Sequence, residues 1–409
     1  MRITLPQDGP WVAARAVAAV LQDHGFAAWY VGGCVRDLLL GRNAHDVDLA
    51  TDAVPETISG LFPRTVTVGK SFGVVVVVAP DGSHVEVATF RLDGRYLDHR
   101  RPESVRFGSA EEDVKRRDFT INALLLDPLS GELRDLVEGQ QDLQARLVRC
   151  VGDASSRLAE DPLRVLRALR FAAVLAFAIE PATWSALRST RLQGVSTERI
   201  LQEWEKATHL QAARGRYLEL LQESGRLSEV CPPLEALPAQ ELSRTLQAQG
   251  RLPLEAPFAV VMATTLALAP AAAVASYLQG LPLERTRLRQ VSWLLEQRRA
   301  LPRLTGVGVA DRRRLARSPW AAGLSQLAQA HDEPQAGLLA QALAEERTSP
   351  DVVPLLGGDD LRELGIPAGP QLGALLKSLE DAQLEGRIAR REQAVALVRA
   401  HLAARRPQE

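Results

Sequence analysis

Apolar and polar positions follow two different rhythms along this chain. Up to about residue 145 the pattern is mixed. Residues 11–25 (WVAARAVAAVLQDHG) place apolar side chains at helical spacing and stop at Gly25, which predicts an amphipathic helix. An apolar run at Ala28–Val31 predicts a strand, followed by the pair Gly32-Gly33 and a short helix through Leu40. Asp46–Ala50 reads as a strand. The valine-rich run Gly73–Ala79 suits a buried strand, Asp81-Gly82 a turn and His84–Phe90 the returning strand, together a hairpin. Residues 119–127 read as helix or strand. After Val151 helical periods take over, with joints near Pro232-Pro233, Pro253–Pro257, Pro302 and Pro350–Pro354. Residues 256–278 carry no charge and are rich in alanine, which adds little transfer energy. They predict a buried helix broken at Pro270 rather than a membrane span.

Composition narrows the class. A length of 409 residues implies two to four units at roughly 150 residues each. With 49 basic and 50 acidic residues the net charge is −1, which excludes a chain that coats nucleic acid by bulk charge but allows a local basic groove. Residues 1–150 hold 17 basic and 21 acidic side chains and the remainder 32 and 29, so neither part is extreme. Cys34, Cys150 and Cys231 are scattered, with no disulfide framework or CxxC site, and point to a reducing compartment. The opening MRITLPQDGP lacks the order of a secretory signal, so a cytoplasmic location is expected. Lysine supplies 4 of the 49 basic residues, a bias that leaves a lone arginine little weight as a functional signal.

Candidate chemistry begins at Asp46-Val47-Asp48. On a strand, residues i and i+2 face one side, and two adjacent carboxylates are costly unless a cation neutralises them. Oxygen-only ligands favour Mg²⁺. A DxD pair alone is usually just solvated. Upstream, however, VGGCVRDLLLG (31–41) places a glycine pair between a strand and a helix, where Gly33 lets backbone N–H groups approach a phosphate. Arg36 follows within one turn and can add charge-assisted bonds. Glu86, on the hairpin strand, is either a third carboxylate for the pair or an exposed strand residue.

GG-x-V-R-D followed by DVDLAT resembles the signature of the DNA polymerase β-like nucleotidyltransferases, and more narrowly the class II tRNA nucleotidyltransferases and their poly(A) polymerase relatives. KRRDFTINAL (115–124), EDPLRVLRALRFA (160–172) and VSTERILQEWEK (195–206) follow in the family's order, and GGDDLRELGIPAGPQLGALL (357–376) resembles its C-terminal region more weakly. The resemblance spans about residues 25–210. It implies an α+β fold, a small mixed sheet with helices as catalytic head, followed by all-α parts: head 1–146, neck 147–212, body 213–345 and tail 346–409. It also puts Arg117 on the incoming nucleotide's phosphates, and Asp118 and Asn122 near its sugar. Arg116 reads as a surface charge.

Asp161 and Arg164 are three apart, hence neighbours on one helical face. An acceptor beside a donor fork suits the Watson–Crick edges of cytosine and adenine and mismatches uracil and guanine. Arg167 and Arg170 continue the series but rotate about 60° per step, towards phosphate or the head. The resemblance implies Mg²⁺-assisted attack of a tRNA 3′-hydroxyl on the α-phosphate of CTP or ATP, with Asp46 and Asp48 as metal ligands. A segment within 89–107, with Arg91, Arg95, Arg100, Arg101 and Tyr96, resembles the loop needed to pass from C to A addition, and its near-full length argues against an enzyme adding only CC. Addition of A alone and poly(A) synthesis stay open. A phosphohydrolase built on His45-Asp46 or His331-Asp332 lacks further spaced ligands, and a non-catalytic RNA-binding module would need none of these motifs together.

Overall fold

The computed structural model describes residues 1–44, 46–67, 73–93, 105–348 and 352–403. His45, the loop residues Arg95, Tyr96, Asp98, Arg100 and Arg101, and the terminal Arg405–Glu409 lie outside the described residues. The chain divides into two compact units, Met1–Glu235 and Ala236–Glu409.

The first unit begins with α1 (Pro10–Asp23), β1 (Ala28–Val31), α2 (Gly33–Leu39), β2 (Asp48–Thr51), α3 (Pro55–Leu61), β3 (Thr65–Thr67), β4 (Val74–Val78) and β5 (His84–Thr89). After β6 (Arg91–Asp93), β7 (Val105–Phe107) and α4 (Ala110–Lys115) come a 3₁₀ turn at Thr120–Asn122, β8 (Leu125–Leu126), β9 (Leu133–Arg134) and α5 (Gly139–Ala145). Seven strands form one mixed sheet in the order β3-β4-β5-β2-β1-β8-β9. The expected hairpin is β4–β5. Asp81 accepts the Ser83 N–H at 2.9 Å and Gly82 takes φ +86°.

Register places the first functional feature. β1 runs antiparallel to β2 with Val31 opposite Asp48, and β2 runs parallel to β5 with Leu49 opposite Val87. Leu49 and Val87 are fully buried. Because side chains alternate, Asp48 and Glu86, one residue earlier on each strand, share the opposite face. The strand begins at Asp48 rather than Asp46, so Asp46 stands in the preceding loop and the carboxylate pair is not an i, i+2 pair on one strand.

β10 (Leu147–Val148) and β11 (Ala178–Ile179) form a short parallel ladder, a strand pair within a region whose sequence reads as helical. Around it stand α6 (Ala154–Glu160), α7 (Leu163–Leu175), α8 (Pro181–Ser189), α9 (Thr197–Ala207) and α10 (Gln211–Glu223), then the short α11 (Leu227–Val230) and α12 (Pro232–Glu235). α7 packs against both α9 and α10. The stretch from Asp161 to Arg164 is not continuous helix. Pro162 drives the residue before it out of helical space, and Asp161 takes φ −143°, ψ 99° between α6 and α7.

The second unit holds α13 (Ala239–Arg251), α14 (Phe258–Leu266), α15 (Ala271–Gln279), α16 (Arg285–Ala300), α17 (Val309–Ala316), α18 (Ala321–Ala330), α19 (Ala336–Thr348), α20 (Gly358–Glu363), α21 (Pro370–Leu384) and α22 (Arg391–Ala403). Every residue of α14 is buried, and Pro270 separates it from α15 as the sequence predicts. No helix of the described residues is long and apolar enough to cross a membrane.

His331, buried where α18 ends, bonds through Nε2 to the Thr264 carbonyl at 3.0 Å. Burial, aided by Arg298, pushes its imidazole down from 6.5 to about 4. The unfolded chain therefore takes up this proton first. The contribution is fully present above the unfolded value and is lost as pH falls from 6.5 towards 4. Integrated over that window it amounts to about 3 kcal/mol. Urea unfolding of wild type and His331→Gln across pH 4–7 will show a shallower acid loss in the variant. Equal slopes would remove His331 from the acid response.

Candidate active site

A cavity of about 740 Å³ opens in the first unit. Eleven of the twelve residues singled out from the sequence line it: Gly33, Arg36, Asp46, Asp48, Arg117, Asp118, Asn122, Asp161, Arg164, Arg167 and Arg170. Glu86 does not. It is exposed on β5, although it faces Asp48 across the parallel strand pair. Among the described residues eight cationic side chains and five carboxylates line the cavity, a positive surplus that suits a polyanion.

The carboxylates carry the first electrostatic feature. Burial, then repulsion from Glu86 and Asp46, pushes Asp48 up to about 6 against the opposing pull of Arg117. Crowded negative charge on oxygen-only donors is the situation a hard divalent cation relieves. Asp46 and Asp48 fit such an ion as a pair. Among the described residues no group of three or more His, Cys, Asp or Glu is arranged to hold a metal.

The glycine turn beside them is conformationally demanding. Gly32 takes φ +77°, a region side chains rarely adopt, and a Cβ there would stand 3.7 Å from Arg117 Nη1. Arg36, expected free for phosphate, is buried and engaged. Its Nε and Nη2 donate to Asp37 at 2.9 Å each and its Nη1 to Asn122 Oδ1 at 2.7 Å.

Asp113, which the sequence reading missed, organises the next pair. This buried carboxylate receives Arg116 through Nε at 2.9 Å and Nη2 at 2.5 Å, and Arg117 through Nε at 3.2 Å and Nη2 at 3.0 Å. Burial alone would raise it, but Arg117 and Arg116 outweigh burial and hold it below the usual carboxylate range. The i+3 and i+4 spacing of the two arginines from Asp113 on α4 was the available signal. Arg116, read as a surface charge, lines the cavity instead.

Asp118 accepts Arg167 Nε at 2.8 Å and Nη2 at 2.5 Å, while its other oxygen accepts the Phe119 N–H at 2.8 Å. Burial opposes its ionisation, yet Arg167 holds the carboxyl below its ordinary value. Arg170 donates through Nε to Glu203 of α9 at 2.6 Å. Lys206, half-exposed on the same helix, stands 3.9 Å from Glu203.

Asp161 and Arg164 do not pair with each other. Asp161 Oδ2 accepts Arg199 Nη2 at 2.6 Å, and Arg164 Nη1 donates to Glu160 at 2.5 Å and to the Arg157 carbonyl at 2.6 Å. Asp161 Oδ1 also accepts the Leu163 N–H at 3.1 Å, and a carboxylate with two bonds still has acceptor capacity. Arg199 and Phe171 also line the cavity, and no local spacing announced them.

Residues 28–149 match the poly A polymerase head domain family. A CCA-adding enzyme of Lactococcus lactis subsp. cremoris (strain MG1363) is 47% identical over 207 residues, 49% of this chain and 51% of the relative, so the chain spans about half that relative's length. A CCA-adding enzyme of Bacillus licheniformis is 36% identical over 397 residues, 92% of this chain and 94% of its own. The crystal structure of the Bacillus stearothermophilus CCA-adding enzyme in complex with CTP is similar at TM-score 0.82 and 30% identity, covering 98% of this chain and 99% of that one.

The raised Asp48 carboxyl carries a stability consequence. Its folded value exceeds the unfolded one, so its contribution is present at acid pH and is lost as pH rises through about 6. In metal-free buffer, Asp48→Asn is therefore expected to be more stable than wild type at pH 8 by about 3 kcal/mol, the gap closing towards pH 4. Chemical denaturation at the two pH values measures it. A variant no more stable at pH 8 would mean the repulsion is already relieved.

Proposed function

The chain belongs to the family of CCA-adding enzymes, and from that premise we propose that it is a template-independent tRNA nucleotidyltransferase that adds C and A to the tRNA 3′ end. The observation that carries this reading is the cavity, which gathers the DVD pair, the glycine turn, the RRD arginine and the EDPLR pair into one space. In this reading residues 1–146 are the catalytic head, 147–212 the neck, 213–345 the body and 346–409 the tail. The buried free thiols Cys34, Cys150 and Cys231 suit a cytoplasmic location.

Enzymes of this kind use a divalent metal. Mg²⁺ is the ion proposed here, with Asp46 and Asp48 as its holders. When bound it would lower the pKa of the RNA 3′-hydroxyl and neutralise charge on the departing pyrophosphate. The chain's own residues do the rest. Arg117, fixed by Asp113, presents positive charge to the triphosphate, with the Gly32-Gly33 backbone close by. Asp118 and Asn122, joined by a 3.3 Å bond, form the sugar side. Asp161 accepts from the amino group of C or A and Arg164 donates to the ring acceptor beside it. Arg199 and Glu160 hold those two in place, so selection is a property of protein side chains and no template is needed.

The reaction is tested with tRNA transcripts ending at the discriminator base, at C and at CC, offered CTP and ATP separately. Wild type is expected to extend all three. Extension of the CC-ending transcript alone would identify an A-adding specialist. Asp46→Ala and Asp48→Ala should lower incorporation at least about a hundredfold and leave tRNA binding nearly intact, because the pair serves the metal. Retained turnover at saturating Mg²⁺ would refute the assignment.

Base selection is measured separately, as kcat/KM for all four nucleotides. Asp161→Ala and Arg164→Ala should each lose about ten- to a hundredfold with CTP and ATP, the worth of one buried polar contact, and narrow the lead over UTP and GTP. A uniform fall with unchanged preference would make both residues scaffold.

A further inference from the structure

One aromatic ring lies among three of the cavity's arginines. The guanidinium carbons of Arg170, Arg36 and Arg167 lie 4.2, 5.1 and 5.5 Å from the centroid of Phe171, all within cation–π range. Arg36 comes from α2, while Arg167 and Arg170 share α7 with the ring. Phe171 is itself buried, and the edge of Phe119 meets it at 5.7 Å.

The three cations differ in how their donors are spent. Arg36 commits Nε and Nη2 to Asp37 and Nη1 to Asn122. Arg167 commits Nε and Nη2 to Asp118. Arg170, nearest the ring, spends only Nε, on Glu203, and among the described residues its two terminal nitrogens have no hydrogen-bond acceptor. A carboxylate that fixes a guanidinium consumes its N–H donors. A ring attracts the same cation through its quadrupole and consumes none. It also partly offsets the repulsion of three like charges gathered in one place. An aliphatic side chain would fill the same space without either effect.

We propose that Phe171 is a positioning residue for nucleotide binding: its ring holds Arg170, with Arg36 and Arg167 around it, so that the terminal N–H groups of Arg170 face a polyphosphate. This rests on the functional reading above and adds a residue to it. It also ties the role of this position to charge rather than to volume. A leucine of similar bulk would preserve the core of α7 and weaken the nucleotide.

The decisive experiment replaces Phe171 with mono-, di- and trifluorophenylalanine, which drains the ring's quadrupole in steps while barely changing its shape. Each full-length protein is assayed for CTP binding by calorimetry, for incorporation on tRNA, and for melting temperature. The expected result is a stepwise weakening of CTP, about three- to tenfold in Kd and KM at the trifluoro stage, with kcat and melting temperature nearly constant. A flat Kd across the series, in proteins that still melt normally, overturns the proposal. Absence of incorporation by wild type would instead overturn the functional reading, and the Kd series would still decide the role of the ring. If wild type bound no CTP, both would fall.

Discussion

The ion pair between Asp118 and Arg167 is the interaction on which the site's geometry rests. It joins the turn after α4 to the middle of α7, residues 49 apart in sequence, with Asp118 largely buried and Arg167 partly so. Charges taken out of water are costly unless every lone pair and proton finds a partner. The chain meets that demand by extension. Arg167 also approaches Glu203, Glu203 takes Arg170, and the second oxygen of Asp118 is closed by backbone and Asn122. Asp113 does the same for Arg116 and Arg117, and Glu160 for Arg157 and Arg164. The arginines that face the cavity are therefore held before any ligand arrives, which lowers the entropic cost of binding one.

Much of this was legible in the sequence because short spacings encode local structure. The valine run, the Asp81-Gly82 turn and the break at Pro270 appear where periodicity and turn chemistry put them. The glycine turn and the DVD pair also reach the same cavity, as their order along the chain suggested. Local reading failed where one residue overrides a period. Pro162 splits a helical pattern that looks continuous, so Asp161 stands in extended backbone rather than on a shared helical turn with Arg164, although both reach the cavity. It failed again where a partner is distant. Asp161 and Arg199 are 38 residues apart, and nothing in either neighbourhood names the other.

Glu86 shows the intermediate case. The strand carrying it forms as expected, and the parallel pairing of β2 with β5 brings its face beside Asp48. Periodicity is silent on depth, however. The residue ends exposed, near enough to repel Asp48 but outside the cavity lining. Strand registers fix direction. Whether a side chain then joins a cluster depends on neighbours that only the folded sheet supplies.

The position of Lys206 has a different kind of consequence. Arginine dominates the cavity wall, and guanidinium groups are poor nucleophiles that stay protonated at any working pH. Lys206 is the one primary amine among the described lining residues and one of four lysines in the chain. Its side chain is 55% exposed, so reagents reach it. Acylating chemistry that would scatter over a lysine-rich protein is, on this one, concentrated at few addresses. One of them is the wall of the cavity itself.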